Sequence, residues 1–125
     1  MTTAPDYTAT AALFAKLDAV ATQALARRQD LRAQFVVAVE ANYRFHRYDD
    51  VIEADGAAEA WQRIKDAVTT TDVAPEEAGR WVWSMIRNHA LFFNTNRSTS
   101  PSTNTHADAE HAAWLRALAI LEGVA

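Results

Sequence analysis

Helix breakers are scarce in this chain, and that scarcity limits what it can fold into. Three glycines and three prolines are spread over 125 residues. The alternation of apolar and polar residues that marks a half-buried strand is nearly absent. Apolar residues recur instead at steps of three and four, the period of a helix with one buried face. The chain is therefore expected to be all-α.

Its size suits one helical domain spanning residues 1–125. A chain of this length can bury roughly two-thirds of the surface it exposes when unfolded. Half of it is hydrophobic, with four tryptophans, and each buried aromatic ring removes about 150–250 Å² from water. The spacing predicts four to five helices, over about 7–28, 30–47, 57–69, 75–93 and 105–121. Leu13, Leu17, Val20 and Ala24 mark the first, and Leu31, Phe35, Val36, Val39 and Tyr43 the second. A single rod over both would be about 60 Å long, against a diameter of roughly 35–40 Å for a compact domain of this size. A break is therefore expected near Arg28-Gln29-Asp30, with Asp30 as the N-cap of the second helix. The alternative is an extended rod used in oligomerisation.

Residues 48–56 are expected to be a connector, and Trp61, Ile64 and Val68 to face inward from the third helix. Pro75 followed by Glu76 and Glu77 is a helix start: proline suits the first turn, and carboxylates favour the positive end of the helix dipole. On this fourth helix Trp81, Val82, Trp83, Met85, Ile86, His89, Ala90, Phe92 and Phe93 fill a broad apolar arc, leaving Arg80, Ser84, Arg87 and Asn88 outside it. So wide an arc suits a central helix. Residues 94–105 (NTNRSTSPSTNT) are expected to be a polar surface loop or linker. Trp114, Leu115, Leu118 and Leu121 form the apolar arc of the last helix, which Gly123 should end.

Three histidines, His46, His89 and His111, project toward apolar arcs of three different helices. In an up-down bundle they fall at about the same height. Three neutral imidazoles on facing helices can form an open metal site with one position left for water or substrate, and zinc or iron is the metal that suits it. Glu110 is the acidic residue placed to complete such a set. Asn42, Tyr43, His46, His89, His111 and Trp114 are likewise the residues expected to line a site for a small polar ligand, with Asp108 in support. Against this stands the ordinary role of an inward-facing imidazole, which is to hydrogen-bond a backbone carbonyl or polar neighbour.

Other features narrow the function by exclusion. There is no cysteine, so thiolate metal sites, disulfides and cysteine nucleophiles are ruled out. A net charge of −4 argues against broad nucleic-acid binding. The basic group Arg27, Arg28 and Arg32 is expected to be a solvated face rather than a phosphate site. No Gly-rich phosphate loop or nucleophile elbow is present. The N-terminal residues do not have the pattern of a secretory leader, and no run of 18 apolar residues occurs, so a cytoplasmic protein without a membrane span is expected. Together these point to a small non-enzymatic binding or assembly protein, with no cofactor expected and a protein partner or second copy as its target. The alternative is a metal- or ligand-binding bundle built on the three histidines.

Overall fold

The computed structural model describes residues 7–42, 44–45, 47–69 and 75–123, with side chains from Thr10 in the first helix and from Glu76 in the third. Four helices make up its regular structure: α1 (Tyr7–Glu40), α2 (Tyr48–Thr69), α3 (Pro75–Phe92) and α4 (Pro101–Leu121). No strand occurs among the described residues.

The expected break near Arg28 does not occur. α1 runs through it as 34 continuous residues, about 51 Å of helix. No glycine or proline interrupts it, and Asp30, instead of capping, accepts a hydrogen bond from Gln34 Nε2 at 2.9 Å within the helix. The length is accommodated because α2 runs antiparallel along it. Phe35 meets Tyr48 with ring centroids 6.1 Å apart, Arg32 pairs with Asp55 at 2.7 Å, and Lys65 reaches Asp18 at 2.6 Å and Thr22 at 2.9 Å. The rod stops at Asn42, whose φ of +58° turns the chain out of the helix. Its N–H donates to the Val39 carbonyl at 3.1 Å. Arg44 therefore lies beyond the helix, and Val36 and Val39, expected inside, are exposed.

Residues 48–56 are the first turns of α2 rather than a connector. Asp49 and Asp50 sit at the positive end of the helix dipole, and Arg47 Nε donates to Asp50 at 3.0 Å. Gly56 lies inside the helix because α4 passes directly over it: a Cβ there would overlap the His106 carbonyl oxygen. α4 likewise starts early. Ser100 accepts from the Thr103 N–H, and Pro101 fills the first helical turn. The expected loop of 94–105 shrinks to 93–100. It is held down by Ser98 N–H to Asn104 Oδ1 at 2.9 Å, and by Arg97 to Asp108 at 2.8 and 3.0 Å. Gly123, at φ +76°, ends α4 as expected.

α2 packs most extensively against α1 on one side and α4 on the other, and α3 packs chiefly on α4, so the helices lie in the order α1, α2, α4, α3. One core joins all four through Leu17, Ala21, Trp61, Ile64, Val82, Ile86, Trp114 and Ala117. α3 touches each of the other helices but is not sandwiched between them. Its buried stripe is therefore narrow: Ala78, Val82, Ile86 and Ala90, at a spacing of four. Trp81, Trp83 and Phe92, expected in the core, instead face outward, as does Leu115 of α4.

Candidate functional site

Two of the three histidines come together. His89 stacks on Trp114, ring centroids 4.2 Å apart at 20°, and His111 stacks on Phe93 at 5.0 Å and 5°. Both sit on the seam between α3 and α4, one helical turn apart. Their nitrogens serve the helices. His111 Nε2 lies 2.9 Å from the Ala90 carbonyl, one of the last carbonyls of α3 and so without an intrahelical partner. A ring nitrogen facing a carbonyl must carry the proton, so His111 donates and closes the end of α3. His89 Nδ1 donates in the same way to the Met85 carbonyl at 2.8 Å. Arg63 Nη1 approaches His89 Nε2 at 3.5 Å as a donor. The lone pair that a metal would need therefore already faces a cation.

The remaining residues expected at this site are dispersed or lie outside the described residues. Tyr43 and His46 lie outside them. Asn42 is exposed in the turn that ends α1. Glu110 lines a shallow depression beside Tyr48, Ile52 and His106, and Asp108 is paired with Arg97. Among the described residues no group of three histidines and carboxylates is placed to hold a metal ion. Trp114 is fully buried, and its indole N–H has no hydrogen-bond partner among the described residues.

The larger concavity lies elsewhere. Between the first turns of α1 and the outer side of α3 runs an open groove of about 620 Å³. Leu13 and Phe14 form one wall, Trp83, Leu91 and Phe92 the other, and Leu121 the end. Gly79 faces Thr10 across the groove, with room for a methyl group at 3.4 Å from Thr10 Cγ2. Arg80, Ser84, Arg87 and Asn88 form a polar ridge along α3. At helical spacing, Trp83 falls on one flank of this ridge and Trp81 and Phe92 on the other, with Leu91 on the ridge at its C-terminal end. Four large apolar side chains are thus left in water, at 50% exposure for Trp81, 38% for Trp83, 56% for Leu91 and 80% for Phe92.

The sequence held a signal for this surface in the width of the apolar arc on this helix. An apolar arc of about 200° on an 18-residue helix is more than one neighbour can cover, and the excess is either central or exposed. Comparison with known proteins adds no relative: no family model, no curated protein and no solved structure matches the chain.

Proposed function

We propose that this protein is a non-enzymatic assembly module that pairs with a second copy through the outer face of α3. The observation that carries the reading is the exposure of Trp81, Trp83, Leu91 and Phe92 on one helix. Together they present on the order of 500 Å² of largely apolar surface on the two flanks of the polar ridge, more than half of the ~800 Å² that each partner contributes to a stable interface.

A second copy suits this face because its charges complement themselves. Glu76 is already paired with Arg80 at 2.9 Å. The charges left on α3 are Glu77 in the first turn and Arg87 further along, and neither has an ion partner among the described residues. In a two-fold pair, every contact occurs twice. Two antiparallel α3 helices would set Glu77 of each copy beside Arg87 of the other, with Trp81 and Trp83 around the axis.

Sedimentation equilibrium tests this directly. The expected mass is twice 13.8 kDa. Glu77→Arg or Arg87→Glu alone should weaken association by about tenfold, as like charges then meet across the axis, and the double swap should restore it. A protein that stays monomeric at about 100 μM would remove the reading. The exposed aromatics would then have to serve a different partner.

A further inference from the structure

The arginine group Arg27, Arg28 and Arg32 does not act as one surface. Arg32 is neutralised by Asp55 at 2.7 Å. Arg28 lines a groove beside Lys65, whose ammonium is held by Asp18 at 2.6 Å. Arg27 turns to the other side of α1, where it shares a cleft of about 250 Å³ with Arg116 of α4. α2 forms the floor between them. Ala54 and Ala57 are short enough to leave a trough there, Trp61 closes it, and Gln23 adds a neutral polar group at the wall. No carboxylate lines this cleft. Neither Arg27 nor Arg116 forms an ion pair among the described residues. In a chain of net charge −4, this is a place where positive potential is concentrated and left unmatched.

We infer that the cleft binds a small phosphate monoester, its phosphoryl group held between Arg27 and Arg116. Two guanidinium groups match the charge of a phosphate monoester, about −1.5 to −2 at neutral pH, whereas a carboxylate would need only one. Guanidinium presents its N–H groups in a fork that fits two oxygens of a tetrahedral oxyanion. The volume exceeds that of the ion. At ~30 Å³ per water the cleft has room for about eight waters, so a small organic substituent can enter with the phosphoryl group and lie against Val20, Ala24 and Ala57. The site uses α1, α2 and α4, and does not depend on pairing through α3.

Titration at constant ionic strength tests the assignment, with chloride as the reference anion, following the Arg27, Arg116 and Trp61 side-chain N–H resonances. Inorganic phosphate and phenyl phosphate should both shift these signals, phenyl phosphate with at least fivefold tighter binding. Equal affinities would assign the same oxyanion site to the free ion. Arg27→Gln and Arg116→Gln should each weaken binding at least tenfold, and Arg28→Gln should leave it unchanged. Arg27 and Arg116 are exposed and Arg28 is half-buried, and thermal melts confirm that the variants are folded. The inference is overturned if phosphate moves these resonances no more than chloride does, or if Arg28→Gln weakens binding as much as Arg27→Gln.

Discussion

Replacing Gly56 by alanine places a methyl group where α2 and α4 touch. On an exposed helix the same change stabilises by about 1 kcal/mol, because alanine loses less backbone freedom than glycine. Here the added Cβ would overlap the His106 carbonyl oxygen and lie 3.0 Å from the His106 carbonyl carbon and 3.2 Å from Ala109 Cβ. The obstacle is the backbone of α4, so no side-chain rotation relieves it. Carbon-to-oxygen contacts between helices settle near ~3.3–3.6 Å, so α4 must retreat by about 1 Å. A gap of that size forfeits roughly a quarter to a half of each dispersion contact across the seam. The affected packing includes Trp61 and Ile64 of α2 and Trp114 and Ala117 of α4, all buried. Overpacking of this kind costs about 3 kcal/mol at the upper end of its usual range. The intrinsic helical gain offsets about 1 kcal/mol of it, leaving a net loss of about 2 kcal/mol. Urea unfolding followed by tryptophan fluorescence would register this as a midpoint lower by about 1 M, given slopes of 1–3 kcal/mol per M. Gly79→Ala is the internal control. Its Cβ meets only Thr10, at 3.4 Å for Cγ2 and 3.9 Å for Oγ1, so it should be neutral or stabilising by up to ~1 kcal/mol. A Gly56→Ala protein as stable as its parent would refute the close packing of α2 on α4.

Three further outcomes are expected. His111→Ala removes the hydrogen bond to Ala90 and the stack on Phe93; it should cost about 2 kcal/mol and lower Tm by about 6–10 °C by calorimetry. Asn42→Gly should be neutral or slightly stabilising, and Asn42→Val destabilising by about 1 kcal/mol in the same assay, because the position requires positive φ. Elemental analysis of untagged protein should find well under one equivalent of metal, since the free lone pair of His89, at Nε2, already faces the Arg63 guanidinium; a full equivalent of zinc or iron, lost in His46→Ala, would restore the three-histidine site.

The helical class was legible because it depends on local periodicity, which a sequence displays directly. So were the start of α3 at Pro75-Glu76-Glu77 and the stop at Gly123, where single residues have strong positional preferences. The continuity of α1 was not. Nothing local at Arg28-Gln29-Asp30 disfavours helix, and the break was inferred from overall size, which does not anticipate α2 lying alongside α1. Gly56 falls in the expected connector, and a helical glycine is costly in isolation; the compensation, close contact with His106, lies on a distant segment. Ser100-Pro101 was a cap signal hidden in a polar run. At the candidate site, the wheel identified His89, His111 and Trp114 as neighbours of the interior but could not assign their nitrogens, because Ala90 and Arg63 belong to other helices.

The order in which the helices lie also bears on how quickly the chain can find its fold. α1 and α2 are joined by a connection of about seven residues, and their hairpin can close locally. The seam between α2 and α4 instead joins positions about 50 residues apart and bypasses α3. Closing the longer loop costs roughly 1.7 kcal/mol more in chain entropy than closing the short one. If that seam forms in the folding transition state, this alone slows its nucleation more than tenfold, and the α1–α2 hairpin would wait, assembled but half-covered, for α4 to arrive.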